Sequence, residues 1–153
     1  PIQEDYFTIF NDVEISLDER NCLKIFAPKL NPEILQTNDI VELLNEKQFK
    51  FLGRVDNVIN SGGVKIFAEE LENLVKKHVA QDLVFIGKPD EILGEKLVLV
   101  IEGKNEEQLK SKIYNLEFPS KFHIPKEILF LEKFPRAENG KVLRKEILKI
   151  LAD

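Results

Sequence analysis

The apolar residues of this chain recur with two different periods, and the change from one to the other narrows the folds open to it. Over the first third the pattern alternates, as in Val13-Glu14-Ile15-Ser16-Leu17 and Leu23-Lys24-Ile25-Phe26, the period of half-buried antiparallel strands. Asp18-Glu19-Arg20-Asn21 supplies the turn between them. Asn31-Pro32 interrupts the pattern, residues 37–44 form another strand candidate, and Asn45-Glu46 leads into Phe49-Lys50-Phe51-Leu52. Helical spacing begins only at Leu71, Leu74, Val75 and His78, which fall at i, i+3, i+4 and i+7. Glu69, Glu70 and Glu72 occupy its first turn, where negative charge suits the helix dipole.

After Asp56 the two periods intermingle. Strand candidates at 55–59 and 64–67 flank Asn60-Ser61-Gly62-Gly63, and the helix around Leu71 follows. Two β-branched runs, 82–86 and 96–102, are separated by the turn-rich Lys88-Pro89-Asp90-Glu91 and by Gly94. Residues 106–116 have helical spacing at Leu109, Ile113 and Leu116, 127–131 is a further strand, and 143–151 reads as a final helix after Glu138-Asn139-Gly140. Strand, helix, strand, strand, helix, strand, helix is an α+β order, and about 100 residues suffice for a core of their own. The first 55 residues are short of one.

Charge divides at the same place. The chain of 153 residues carries a net −5; residues 1–56 hold 11 acids and 6 bases, whereas residues 57–153 hold 16 of each. A negative balance argues against nucleic acid as a partner. Residues 135–149 are locally basic, with Arg136, Lys141, Arg144, Lys145 and Lys149 against Glu138 and Glu146, so an anion would be drawn there rather than to the protein as a whole. Cys22 is the single cysteine and His78 and His123 the two histidines, which excludes an intramolecular disulfide and leaves no metal-ligand spacing. The longest apolar runs fall far short of the roughly 20 residues of a membrane span. No secretory pattern follows Pro1, and the expectation is a cytoplasmic chain without a transmembrane segment. The absence of Met fits either a trimmed initiator or a piece of a longer chain.

Four local features carry possible chemistry, each with a plain alternative. The glycines of Asn60-Ser61-Gly62-Gly63, with Lys65 beyond them, can offer backbone N–H groups and a cation to a phosphate; without a P-loop or dinucleotide-binding pattern around it, the same Gly-Gly pair serves as an ordinary hairpin turn. Lys141, carried on a glycine turn, can swing onto a developing negative charge or simply be solvated. Asp39 can accept hydrogen bonds from ribose hydroxyls or close a turn. Arg54 and Asp56 flank Val55, so in a strand both would point to one face and could pair or hold an anion.

Their order along the chain says more than any one of them. Thr37-Asn38-Asp39, then Phe51-Leu52-Gly53-Arg54-Val55-Asp56-Asn57-Val58-Ile59-Asn60-Ser61-Gly62-Gly63-Val64-Lys65-Ile66, Glu69-Glu70-Leu71-Glu72, Gly87-Lys88-Pro89-Asp90, Leu93-Gly94-Glu95-Lys96, and Phe134-Pro135-Arg136 with Asn139-Gly140-Lys141-Val142-Leu143-Arg144 together resemble the C-terminal part of the AMP-forming acyl-CoA synthetase superfamily. The resemblance covers residues 37–150. It implies a small C-terminal lid with a three-stranded mixed or antiparallel sheet, a β-hairpin and flanking helices over residues 56–153, preceded over residues 1–55 by β-strands that end a large N-terminal adenylation domain.

The resemblance also implies an activity and roles. Enzymes of this superfamily join a carboxylic acid to AMP with release of pyrophosphate from ATP, then pass the acyl group to the thiol of CoA as the lid rotates. By motif, Asp39 would bind the ribose hydroxyls, Arg54 and Lys65 would contact the nucleotide, and Asp56 would be the hinge. Lys141 would be catalytic in adenylation, and Ser61, Gly62 and Gly63 would line the tunnel for CoA. ATP with Mg²⁺, CoA and a small carboxylic acid would be the ligands, and the missing N-terminal adenylation domain the partner. No resident metal site is expected. Where the family has Gly, this chain has Asn38, the commonest non-Gly visitor to left-handed backbone. The family's Pro-Lys phosphate loop and Tyr-Gly-x-Thr-Glu segment are absent, so the chain by itself is expected to be inactive. Residues 118–125 and 127–144 are similar to the small o-succinylbenzoate–CoA ligases of menaquinone synthesis, although fatty-acyl, acetyl and peptide-synthetase relatives share the same C-terminal motifs. The remaining alternative is a free-standing nucleotide- or CoA-binding module, or one that docks on a partner, without catalysis.

Overall fold

A computed structural model describes residues 6–152 as two compact units, one ending at Val58 and the other beginning at Ile59. The first is a five-stranded antiparallel sheet. Its strands β1 (Phe7–Thr8), β2 (Glu14–Leu17), β3 (Cys22–Phe26), β4 (Leu35–Asn45) and β5 (Gln48–Arg54) lie in the order β1-β5-β4-β3-β2. Alternation makes the strands, but the turns set their register. Between β2 and β3, Asp18 N–H donates to the Cys22 carbonyl at 2.9 Å and Asn21 N–H to the Asp18 carbonyl at 3.0 Å. Asn21 takes φ +62°, a left-handed position that Asn tolerates better than other side chains.

The Asp18 carboxylate stitches this corner together. Oδ1 accepts from the backbone N–H groups of Arg20 and Cys22, and Oδ2 from the side chains of Arg20 and Gln36, the latter on β4. Burial opposes ionisation here, yet these donors together hold the carboxyl well below the ordinary carboxylate range. Between Ile40 and Val41 of β4 the pairing with β5 skips Leu52, a bulge on β5, and Ile40 and Val41 are each only 3% exposed.

In the second unit β9 (Gly94–Glu102) is the hub. The preceding elements are β6 (Val58–Ser61), β7 (Val64–Phe67), α1 (Ala68–Lys76) and β8 (Leu83–Asp90); α2 (Glu107–Tyr114), β10 (Glu127–Leu131) and α3 (Arg144–Ala152) follow it. β9 runs antiparallel to β8 from Gly94 to Ile101 and parallel to β10 from Val98 to Glu102, and it meets β6 at Ser61↔Gly94. The parallel pair needs a crossover, and α2 provides it. Apolar side chains alternate across the sheet. Leu83, Phe85, Leu97, Leu99 and Ile101 pack with Leu71 and Val75 of α1 and Leu109 and Ile113 of α2, while Val84, Ile86, Val98 and Val100 pack with Phe134 and Ile147 on the opposite face. Both faces of β9 are therefore dry, which is why residues 97–101 form an unbroken apolar run instead of an alternating one.

The α+β order, the three mixed strands β8, β9 and β10, the β6–β7 hairpin and the flanking helices agree with expectation, with the hairpin joined to β9 at Ser61↔Gly94 so that the sheet counts five strands. Two details differ. Residues 55–59 are not one strand: Val55–Asn57 form a turn of 3-10 helix and β6 starts at Val58. This puts Arg54 and Asp56 on different elements, so the expectation that they share a strand face fails. β8 also continues through Lys88, Pro89 and Asp90, and the turn comes after them, where Asp90 Oδ1 accepts from the N–H groups of Ile92 and Leu93. Pro89 is tolerated because β8, which among the described residues pairs only with β9, has a free edge.

A depressed carboxyl pKa stabilises the fold above the ordinary carboxylate value and loses that contribution as pH falls toward the depressed one. Asp18→Asn should therefore lower stability of the chain at pH ~7, with the difference from the parent shrinking below about pH 4. Urea unfolding at several pH values checks this, and a difference independent of pH would show that the Asp18 charge contributes nothing.

Candidate functional site

In the first unit the structure brings Asp39 and Arg54 together. They are cross-strand partners on β4 and β5, and Arg54 Nη1 donates to Asp39 Oδ1 at 2.7 Å, with both side chains open to solvent. Arg54 thus pairs with Asp39 across the sheet rather than with Asp56, two residues on. Asp39 is held firmly, since its N–H donates to Thr37 Oγ1, which in turn donates to the Leu23 carbonyl. Asn38 lies within extended β4, and among the described residues Asn21 is the only non-glycine with positive φ. The position therefore makes no left-handed demand that a glycine would have to meet. Its Oδ1 accepts instead from Arg20 Nη1. Asp56 is an exposed residue of the 3-10 turn, three residues before the second unit begins.

In the second unit the Ser61-Gly62-Gly63 segment forms the tip of the β6–β7 hairpin. Gly62 and Gly63 take φ +58° and +80°, the two consecutive positive values of a type I′ turn, which a pair of glycines adopts without strain. The plain hairpin reading of these glycines is thus realised. The tip is braced from three sides. Gly62 N–H donates to the Leu93 carbonyl, Leu93 and Phe122 lie at van der Waals distance from where a side chain on Gly62 would begin, and Glu95 Oε2 accepts from Asn60 N–H at 2.7 Å. Glu95 reaches Asn60 across Gly87, where a Cβ would stand 2.8 Å from the Glu95 carboxylate. Ser61 is buried, and Lys65 projects to solvent from β7, opposite in phase to the fully buried Ile66.

Lys141 sits on a second tight hairpin. Ala137 N–H donates to the Lys141 carbonyl and Gly140 N–H to the Ala137 carbonyl, both at 2.9 Å, with Gly140 at φ +85° and Arg136 bridged to Val142. This is a type I turn closed by a left-handed residue. Asn139 Oδ1 accepts from Lys141 N–H, and the Lys141 side chain is exposed.

Both roots of this hairpin are pinned by arginines. Arg136 Nη1 and Nη2 donate to Glu102 at the end of β9, at 2.6 and 3.0 Å, and Nη2 also donates to Asp82 at 2.7 Å. The Arg136 guanidinium, with Phe134 N–H, holds the Glu102 carboxyl below its ordinary range. At the other root Arg144, the first residue of α3, donates in bidentate fashion to Glu72 of α1 at 2.6 and 2.7 Å and to the Phe85 carbonyl. Glu72 also accepts from Phe85 N–H, so one carboxylate–guanidinium pair satisfies both outward backbone groups of Phe85 on the free edge of β8. Burial pushes the Glu72 carboxyl up, against the pull of Arg144. With Lys149 paired to Glu146, the basic character of residues 135–149 reduces largely to Lys141 and Lys145. Among the described residues no three His, Cys, Asp or Glu side chains are grouped to hold a metal ion, and no helix is long and apolar enough to cross a membrane.

No family model matches the chain, but individual relatives do. A 2,3-dihydroxybenzoate-AMP ligase of Bacillus subtilis is 32% identical over 123 residues, spanning 77% of this chain and 23% of that protein. A 2-succinylbenzoate–CoA ligase of Lactococcus lactis is 32% identical over 113 residues, spanning 73% of this chain and 25% of its own length. A solved structure of an acyl-CoA synthetase (AMP-forming)/AMP-acid ligase II-like protein from Dyadobacter fermentans is 30% identical, with a TM-score of 0.58 over 99% of this chain and 45% of that one. The chain is a relative of the AMP-forming acyl-CoA and acid ligases. Its fold matches that of the C-terminal domain of adenylate-forming enzymes. It spans about a quarter of the length of the curated relatives it matches.

Within this ligase fold, the residues that sequence reasoning missed are those that carry the hairpin. Glu72 reads in the sequence as one of three acids in a helix first turn, whereas its side chain is 5% exposed and its partner lies 72 positions away. Arg136 and Arg144 read as part of a basic stretch, and nothing local distinguishes them from Lys145. The signal that was available is position: Glu72 follows the buried Leu71 directly and comes three residues before the buried Val75, on the apolar side of α1. Removing one member of a buried ion pair leaves an uncompensated charge and costs about 3–5 kcal/mol. Glu72→Ala should lower unfolding stability toward the lower end of that range, since Arg144 keeps some contact with water. Denaturant titration measures it, and a loss below about 1 kcal/mol would mean that solvent replaces the pair, as at exposed sites.

Proposed function

We propose that this chain is the C-terminal part of an ATP-dependent, AMP-forming acid–thiol ligase, with residues 1–55 ending the large adenylation domain and residues 56–153 forming its mobile lid. The observation that carries the reading is Lys141, an exposed lysine on a three-residue loop whose two roots are tied to the sheet by Arg136 and Arg144. A cation presented in this way suits a reaction that builds charge on a phosphate. The two half-reactions are attack of a carboxylate on the α-phosphorus of ATP, releasing pyrophosphate, and attack of a thiol on the acyl-adenylate, releasing AMP.

The remaining candidates fall into roles around these steps. With Oδ1 engaged by Arg54, Asp39 offers Oδ2 to a ribose hydroxyl, and Arg54 contributes positive charge beside it. Asp56, in the short 3-10 turn near the end of the first unit, is the hinge; a polar residue outside the regular strands tolerates two backbone states more readily than a β-branched one. Ser61, Gly62 and Gly63 present a tip without side chains at the glycines, so a thin pantetheine arm can pass close to the backbone. Lys65 supplies a solvent-facing cation for the nucleotide phosphates. Mg²⁺ enters with ATP. The acid is 2-succinylbenzoate, on the similarity of residues 118–125 and 127–144 to that enzyme class and on the Lactococcus relative, and the setting is cytoplasmic menaquinone synthesis.

In the full-length ligase, Lys141→Ala should lower the adenylation half-reaction by about 10²–10³-fold, the loss typical of a preorganised electrostatic donor. Thioester formation from preformed acyl-adenylate should change by less than about tenfold. Pyrophosphate exchange and single-turnover thiolysis separate the two, and equal losses would show that Lys141 does not serve adenylation specifically. The chain by itself should turn over neither step. Calorimetry with AMP and with CoA tests its independence: tight binding without the large domain would favour a free-standing binding module.

A further inference from the structure

We infer that Arg136 and Arg144 are positioning residues that set the place of Lys141, acting as a two-point clamp on the roots of its hairpin. The inference rests on the reading of Lys141 as the adenylation lysine. Neither guanidinium is offered to a ligand. Arg136 spends its donors on both oxygens of Glu102 and on Asp82, and lies 5.8 Å from the centre of the Phe134 ring. Arg144 spends its donors on both oxygens of Glu72 and on the Phe85 carbonyl.

The anchors stand on or beside regular elements. Glu102 ends β9 and Asp82 directly precedes β8, at the end of the sheet where Leu83 pairs with Ile101. Glu72 lies on α1, against Phe85 of β8. The hairpin between these points is itself closed by Arg136↔Val142 and by Leu143 N–H donating to the Pro135 carbonyl at 2.9 Å. Lys141 is thereby referenced to β8 and β9 although it stands on a loop. A charge-stabilising group needs its supporting residues locked to within about 0.5 Å, and a shift of about 1 Å can cost 10²-fold in rate. Lysine cannot replace arginine in either place without loss, because it lacks the planar fork that grips two carboxylate oxygens at once.

The test is a double-mutant cycle in the full-length ligase. Arg136→Lys and Arg144→Lys should each lower kcat of adenylation about tenfold or more, with KM for ATP within about threefold and thiolysis of preformed acyl-adenylate nearly unchanged. In the Lys141→Ala background the same substitutions should have almost no further effect, because the group they position is gone. Glu102→Gln loosens the Arg136 anchor from the other side and should reproduce Arg136→Lys; it keeps the experiment decisive if Arg144→Lys fails to fold. Losses that persist in full in the Lys141→Ala background, or no loss in the single variants, would overturn the clamp. Normal adenylation by Lys141→Ala alone would overturn the functional reading instead, so the two failures are distinguishable.

Discussion

The second unit depends on one strand that is dry on both faces. β9 has five consecutive residues, Leu97 to Ile101, at no more than 1% exposure, because helices α1 and α2 cover one face of its sheet and α3 with Phe134 covers the other. Burying this much apolar surface is worth about 25 cal/mol per Å², and it fixes where everything else can go. β8 must lie antiparallel along one side. β10 must return parallel on the other after a helical crossover, and the chain beyond β10 must cross to the uncovered face to deliver Phe134 and Ile147. The Lys141 hairpin lies on that last passage, between Phe134 and α3, so its location follows from the need to cover the second face of β9.

Polar interactions then sharpen what burial only places roughly. Apolar packing tolerates small slips of α3 over the sheet, whereas a bidentate carboxylate–guanidinium pair does not. Arg144 with Glu72 fixes the start of α3 against α1 and the β8 edge, and Arg136 with Glu102 fixes the other root against the end of β9. Glu72 and Arg144 also satisfy the buried backbone N–H and carbonyl of Phe85, which would otherwise be left without partners on the free edge of β8. The same economy appears at the β6–β7 tip, where Glu95 crosses the space left by Gly87 to hold Asn60. In the first unit Asp18 has the corresponding place, its five accepted hydrogen bonds joining a turn to β4.

Much of this was legible along the chain. Period-two segments before Asp56 and mixed periods after it marked two kinds of structure, and the Leu71, Leu74 and Val75 spacing marked α1, because local geometry dictates which residues share a face. Gly62-Gly63 and Asn139-Gly140 marked tight turns for a comparable reason, since few other residues accept positive φ. Boundaries were harder. Pro89 suggested a turn but sits inside β8, because only the sheet topology reveals that this strand has a free edge. Arg54 and Asp56 suggested a shared face that a single turn of 3-10 helix abolishes. Asn38 suggested a left-handed stand-in for glycine, yet it lies in extended backbone tied to Arg20.

The sequence by itself determined the α+β class, the position of the turns and the order of motifs that relates the chain to the AMP-forming ligases, because these depend on residues near one another along the backbone. Only the tertiary structure decided that Asp39 pairs with Arg54, that Glu72 holds Arg144 from 72 positions away, and that Arg136 spans Glu102 and Asp82. Such pairs are set by how helices and strands stack to bury β9 and by cross-strand register in the first sheet. Neither is encoded in the spacing of any one segment. A carboxylate reads the same in a sequence whether it ends up in water or under a helix, and the packing around it makes the difference.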